Sequence, residues 1–440
     1  MSSAITSEGL KRVVGLPAFA MAIVNNSIGS GIFVLPAIIS IQLGAFSVFC
    51  YLFCSIMLAA IMLCYAETGS RITTSGGSYA YVEAAFGPFA GFITNWLYTF
   101  GWGILGSAAV MNILADSLAV LFPVFINPLV RALLYFGLLS LMALVNIRGA
   151  KSGAGFVQVL TVVKLLPIFV IVIFGFSHIK SANLHWEHLP SVKTFGDATL
   201  VLFYAFAGFE TSLGVCGELK NPRRTVPLGI LVGGTVVLVV YLLLQIVTQG
   251  ILGEQIAAFK DAPLAAVAGK VIGPAGATML VVTAVVSCFG ITSGDVLATP
   301  RLLFAGANNG LFPRFLGKVH PRFATPWLAV ITYAALIFIL AVSGGFKQLA
   351  ILASASILLI YLAVILSTIK LTRTKKVIGD KIFRIPGELI IPLIGIVAIV
   401  CLLTSLSKAE IVSTLVFIAV ICIIYFVTKR FKKQRTQKEI

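Results

Sequence analysis

The sequence predicts an all-α, polytopic membrane protein of about twelve transmembrane helices. The expected plan is a five-plus-five inverted repeat with helices 1 and 6 interrupted, followed by two further helices. Three observations predict it. Of 440 residues, 59% are hydrophobic and 11% charged, with a mean hydropathy of +1.06; a soluble domain carries about 25% charged residues. Apolar runs near the ~20 residues that span a bilayer recur along the whole chain. Two of those runs are weakened at their midpoints, five segments apart. Interrupted helices at corresponding positions of two halves point to an inverted repeat around a midplane site.

In chain order the spans fall near 13–41, 43–66, 86–116, 124–146, 153–176, 196–217, 227–250, 272–305, 326–343, 347–369, 388–406 and 409–428. The expected repeats are 13–176 and 196–369, with 388–428 as helices 11 and 12 and 429–440 as a basic tail, all in one transmembrane domain spanning 1–440. The spans at 86–116 and 272–305 exceed the membrane thickness and are expected to tilt or to extend into water. The first span carries Ser27, Ile28, Gly29, Ser30 and Gly31 at its centre, beside Asn25 and Asn26. Each glycine there costs a helix about 1 kcal/mol relative to alanine. Small residues also let two helices pack closely, so glycines alone leave two readings open. The sixth span repeats the pattern at Phe206, Ala207, Gly208 and Glu210. Unwound backbone at membrane depth is tolerated where it is buried in protein or lines a cavity.

The formal net charge is +17, but its distribution argues against nucleic acid. With the N-terminus inside, Arg131, Lys180, Lys193, Lys260, Lys270, Lys347 and Lys408 fall outside and Lys164 falls within a span. Every other Lys and Arg of the 32 falls inside. This bias places both termini in the cytoplasm, with the basic tail against anionic lipid headgroups. The first apolar run is too long for a cleaved signal peptide, so no cleavage is expected. All seven cysteines lie in apolar segments and read as small buried hydrophobes, without disulfide or metal-ligand spacing. No metal site and no cofactor are expected.

Charged side chains at bilayer depth cost at least about 2.5–3.5 kcal/mol, so they are rare and mark function. Lys164, Glu210 and Asp295 are the candidates, as coupling groups. Lys164 sits about eleven residues from either end of its span, too deep to snorkel. A buried structural ion pair is the bland alternative. Glu67 and Asp116, nearer span ends, read as interfacial.

Together the motifs resemble the amino acid–polyamine–organocation (APC) superfamily, of the LeuT-type fold. The matching pieces are Ile28-Gly-Ser-Gly-Ile-Phe-Val34, Cys64-Tyr-Ala-Glu-Thr-Gly69, Ser75-Gly-Gly-Ser-Tyr-Ala-Tyr81, Glu218-Leu-Lys-Asn-Pro-Arg-Arg-Thr-Val-Pro227, Ser287-Cys-Phe-Gly290, Arg301-Leu-Leu-Phe-Ala305 through Phe312-Pro313, Val319-His-Pro321 and Thr325-Pro326. Details are similar to L-type amino acid exchangers, their bacterial relatives and the arginine–agmatine antiporter. The resemblance implies that a substrate carboxylate meets the N–H groups of Gly29, Ser30 and Gly31 and the Ser30 hydroxyl. Free N–H groups at a half-helix N-terminus form an anion site in any case. It implies carbonyls of Ser27, Tyr204 and Ala207 for the substrate ammonium, and Tyr204 as an aromatic cover. It places Lys164 where sodium-dependent members hold a sodium ion, and Glu210 where the antiporter has a carboxylate. The substrate-binding set is therefore Ser27, Ile28, Gly29, Ser30, Gly31, Trp102, Tyr204, Phe206, Ala207 and Gly208. Asp295 departs from the L-type pattern, which has a small neutral residue there. Gly101, Trp102 and Gly106 form a loosely matched side-chain pocket; Trp102 can stack on a cation, pack on an apolar group or fill space.

The expectation is a sodium-independent secondary transporter of amino acids in the plasma membrane, by proton symport or exchange, with neutral substrates favoured. Alternatives are an antiporter for cationic amino acids and polyamines, or an amino acid sensor that does not transport. A membrane enzyme needs clustered nucleophiles or metal ligands at one depth, and His178, His185, His188 and His320 all lie in loops. A channel needs a filter or charge rings. No cysteine lies in an external loop, so no obligatory partner subunit is expected, and the chain acts as monomer or homodimer.

Overall fold

A computed structural model describes residues 14–74, 76–148, 154–308, 312–323, 325–374 and 382–436. The polar N-terminal stretch before Val14, Ser75, and loop lysines Lys151, Lys375, Lys376 and Lys381 lie outside them, as do the side chains of the basic tail from Lys429. Sixteen α-helices occupy the described residues. The first span is α1 (Leu16–Ser27), a single 3₁₀ turn (Gly31–Phe33) and α2 (Leu35–Leu43). It is followed by α3 (Ser47–Arg71) and a short helix α4 (Ser78–Phe86). Gly87, at φ 88°, then turns the chain into Pro88, a residue pre-set for the first turn of a helix. From there α5 (Pro88–Trp96), a π-helical stretch (Leu97–Ile104) and α6 (Leu105–Leu121) form one rod of 34 residues. At 1.5 Å per residue such a rod is about 50 Å long against a core of about 30 Å, longer than a straight crossing needs.

Next come α7 (Pro128–Ile147) and α8 (Ala154–Gly175). The sixth span is α9 (Val192–Phe206), two non-helical residues and a 3₁₀ stretch (Phe209–Glu218). The remainder is α10 (Pro222–Leu252), α11 (Pro263–Val271), α12 (Pro274–Asn308), α13 (Trp327–Ser343), α14 (Phe346–Thr374), α15 (Ile390–Thr404) and α16 (Lys408–Thr436). Among the described residues, eight helical stretches are long and apolar enough to cross a membrane, alongside further apolar helices that include α13 and α15. The sole strand-like pairing among the described residues is a parallel bridge between Val14 and Leu219.

Packing sets the broken spans at the centre. α1 packs on α10 and on the 3₁₀ stretch after α9, while α2 packs on α9. α3 lies along α10, α6 along α12 and α14, and α7 along α13. α16 is peripheral: only 6% of its most apolar window is buried, as expected of a helix facing lipid.

One sequence reading, that of the cysteines, is corrected here. Glu67, one turn from the end of α3, is 4% exposed. It accepts from Arg71 at 2.7 Å, Thr372 at 2.9 Å and the Ile385 N–H at 3.0 Å, so it ties α3 to α14 and to the chain before α15. Five cysteines are buried, but Cys401 is exposed on α15 and Cys422 partly exposed on α16; apolar helices that face lipid expose apolar residues. Asp116 pairs with Arg131, both part-exposed.

Candidate functional site

The first break is a true loss of helix. The Ile28 N–H still reaches the Val24 carbonyl at 2.9 Å, and the Gly29 N–H turns back onto Ser27 at 2.8 Å. No backbone carbonyl accepts from the N–H groups of Ser30, Gly31 or Ile32, which open the second half of the span. Free N–H groups at the start of a half-helix are the kind of end that can hold an anion. The family resemblance implies Gly29, Ser30 and Gly31 for this role; the Gly29 N–H is bonded within its own turn, and the Ile32 N–H is open instead. Ser27 Oγ is buried without a hydrogen-bond partner. Ser30 Oγ lies beside the Tyr204 hydroxyl, without hydrogen-bond geometry.

At the other side of the break, Lys164 of α8 inserts its ammonium among the last carbonyls of α1. Its Nζ donates to the Asn25 carbonyl at 2.6 Å and to the Ile28 carbonyl at 2.7 Å, and the residue is 2% exposed. A cation at a helix C-terminus meets the negative end of the dipole. Two carbonyls that a continuous helix would have satisfied internally are thereby satisfied by one charge.

The second break fits against the first. Gly208 has φ 120°, a region that side-chain-bearing residues rarely adopt. A Cβ there would stand 2.4 Å from the Asn26 carbonyl oxygen, so the two breaks touch backbone to backbone. Gly31 does the same toward α9, where its Cβ would lie 2.9 Å from that of Ala205. The Gly208 N–H donates to Glu210 Oε2 at 2.9 Å, and Tyr361 of α14 donates to the same oxygen at 2.6 Å. Glu210 is thus a carboxylate cap on the 3₁₀ stretch, 2% exposed. Asn26 adds a side-chain bond to Ser212 at 2.9 Å. The carbonyls of Tyr204, Phe206 and Ala207 receive no backbone donor and face the ends of a broken helix.

Tyr241 of α10 joins the two breaks. Its hydroxyl lies 2.8 Å from the Ser27 carbonyl and 2.9 Å from that of Ala205. Replacing a buried donor costs about 1–3 kcal/mol when its acceptors are left unpaired. Tyr241→Phe is therefore expected to raise the half-saturating substrate concentration in counterflow by about tenfold, taking 1.4 kcal/mol per factor of ten. An unchanged value would show that the carbonyls hold position without the hydroxyl.

The side-chain wall comes from α9, the π-helical stretch, α6 and α12. Tyr204 donates to the Gly106 carbonyl at 2.8 Å, with Trp102 and Phe346 rings 5.7 Å away on either side. Ile291 lies 3.3 Å from where a Gly29 Cβ would be, and Ser287 Oγ is 3.4 Å from the Gly29 carbonyl. Asp295, one turn beyond Ile291 on α12, accepts from Ser107 at 2.9 Å. Single-turn π geometry within a helix often marks functional sites; here it spans Trp102. Two predicted residues point elsewhere. The Phe206 ring packs on Tyr241 at 4.9 Å and Tyr51 at 6.0 Å, leaving its backbone for the site. Gly101 faces α14, where a Cβ would collide with Ser356. Sequence reasoning missed Tyr241, Tyr361 and Ser107. A lone hydroxyl within an apolar run is the signal that was available, because a buried tyrosine needs a partner.

Two broken helices, apposed at mid-bundle with free N–H groups on one side and free carbonyls on the other, define a membrane transporter of the LeuT-type fold. The chain belongs to the amino acid permease family, whose model matches residues 14–428, within the APC superfamily. It is 30% identical over 402 residues to the serine/threonine exchanger SteT of Bacillus subtilis, covering 88% of this chain and 90% of that one. It is 28% identical over 438 residues to the branched-chain amino acid permease BcaP of Lactococcus lactis, covering 93% of each. It is 31% identical over 343 residues to the mouse Asc-type amino acid transporter 1, covering 72% of this chain and 62% of that one.

Proposed function

We propose that this amino acid permease is a sodium-independent secondary transporter of neutral, zwitterionic amino acids, working by alternating access in the plasma membrane. The N–H groups of Ser30, Gly31 and Ile32 take the substrate carboxylate, and the carbonyls of Tyr204, Phe206 and Ala207 its ammonium, while Ser27 closes the first break. Ile28, Gly29 and Gly208 shape the breaks. Trp102 and Tyr204 wall the side chain. The helices before residue 176 form one repeat and those of 196–369 the other, with both termini cytoplasmic, as the charge bias suggests. The chain acts without an obligatory partner subunit, as monomer or homodimer. Named substrates of the relatives, serine, threonine and branched-chain amino acids, support a neutral class.

The observation that carries the reading is the Lys164 ammonium, 2.6 and 2.7 Å from the Asn25 and Ile28 carbonyls. A fixed cation at that position leaves no need for a bound metal ion to neutralise the end of α1. The experiment is counterflow of labelled L-serine and L-leucine in proteoliposomes, in sodium and in sodium-free choline buffer. Equal rates are expected. A several-fold dependence on sodium would defeat the assignment of Lys164, and no exchange of any amino acid by folded protein would defeat transport.

A further inference from the structure

Charge counting at mid-membrane sets up the inference, which rests on the zwitterionic substrate proposed above. Among the described residues, Glu67 and Asp116 have their arginine partners, Arg71 and Arg131. The remaining charges at bilayer depth are Lys164, Glu210 and Asp295. Two carboxylates against one ammonium leave one negative charge in excess, and a zwitterion does not cancel it. Holding an uncompensated charge through a membrane crossing is costly. A proton bound to one of the two carboxylates cancels it.

The two carboxylates differ in how they are held. Glu210 receives two donors on one oxygen and is enclosed. It fastens the second break to α14, and water reaches it poorly. Asp295 receives a single hydroxyl, that of Ser107, and is partly exposed. No cation lies within ion-pair distance of it among the described residues. The titratable groups that share its surroundings are Tyr98 of the π-helical stretch, Tyr204 of α9, Tyr333 of α13 and Glu210. None of these is cationic at neutral pH.

Exposure along α12 shows where Asp295 looks. Ile291 and Asp295 are partly exposed, and Gly294 and Ala298 are exposed. At 3.6 residues per turn these share one face, the one that meets Gly29 and Ser107. Val282, 48% exposed, lies on the opposite face, toward lipid. The inward face is therefore solvated from Ile291 toward the end of α12 that carries Arg301, which is exposed. Asp295 sits on this path just below the substrate position.

We infer that Asp295, held by Ser107, is the proton-binding site that couples amino acid movement to a proton gradient. The carboxylate takes one proton from water on the far side while the substrate is bound between the breaks. The neutral acid and the zwitterion then cross with Lys164 and Glu210 balanced, and the proton returns to water along the α12 face. Substrate and proton share the site without sharing ligands.

The test is steady-state uptake of labelled L-serine, L-leucine and L-lysine into proteoliposomes, with and without an inward gradient of one pH unit, for wild type, Asp295→Asn and Asp295→Glu. With the membrane potential clamped at zero, one proton per substrate allows at most about tenfold accumulation per pH unit. A gradient-driven accumulation of several-fold is expected for a neutral substrate in wild type. It should fall to a ratio near one in Asp295→Asn and recover in Asp295→Glu. Gradient-driven accumulation that survives Asp295→Asn, or that wild type never shows, overturns the assignment. So does a loss in Asp295→Asn that Asp295→Glu does not reverse. If L-lysine is the substrate and Asp295→Asn abolishes its uptake alone, the carboxylate serves a side-chain ammonium instead. Absence of counterflow by every amino acid in wild type fails the transport reading itself, and the coupling proposal with it.

Discussion

Lys164→Met is expected to reduce amino acid uptake by at least about 100-fold while the protein remains soluble in detergent and monodisperse. Methionine keeps the unbranched apolar stem, one atom shorter, and removes the charge. The Asn25 and Ile28 carbonyls then lose the donor now at 2.6 and 2.7 Å. Each unpaired buried carbonyl costs about 1–3 kcal/mol. Loss of both, at 1.4 kcal/mol per tenfold, reaches about two orders of magnitude in the population of the competent break. Lys164→Arg is expected to rescue little. A planar guanidinium with a fixed fork cannot converge on two carbonyls as a compact ammonium does. Uptake normalised to purified protein is the readout; activity of Lys164→Met within threefold of wild type would remove Lys164 from the site.

Gly208→Ala is expected to be the more damaging of single-methyl changes. It places a Cβ 2.4 Å from the Asn26 carbonyl oxygen and forces a non-glycine residue to φ 120°. The backbone strain alone is of order 1–3 kcal/mol, and the collision requires the two breaks to part. Transport should be lost, and the midpoint of thermal unfolding should fall by several degrees. Gly137→Ala is the control: it lies in α7 with nothing within 4 Å of the new methyl. Its unfolding midpoint should equal or exceed that of wild type, since alanine favours the helix by about 1 kcal/mol. Equal behaviour of the two variants would mean that the breaks are not held in contact.

Much of the fold was legible because the bilayer imposes a length on each apolar run, and because glycine, serine and charge stand out against that background. The interruptions at Gly29 and Gly208 and the depth of Lys164 were visible for this reason. The facing of side chains was not. In a soluble helix the apolar stripe reveals the buried face; here lipid and core are both apolar, so Phe206 and Gly101 gave no sign of pointing away from the site. Pairings across the sequence were equally hidden. Nothing local marks Lys164 as partner to Asn25, or Tyr241 as partner to both Ser27 and Ala205. The commitment of the Gly29 N–H to Ser27 depends on a turn whose dihedrals composition does not specify.

The pairing of Val14 with the chain around Leu219 has a mechanical consequence. Two backbone hydrogen bonds, from the Val14 N–H to the Glu218 carbonyl and from the Lys220 N–H to the Val14 carbonyl, each 3.0 Å long, clamp the start of α1 to the end of the 3₁₀ stretch. With Gly208 seated on Asn26 at the other end, the two half-spans are pinned at both ends like the rails of a ladder. Contacts twelve residues apart along the chain, about 18 Å at 1.5 Å per residue, thus oppose one half-span shifting without the other.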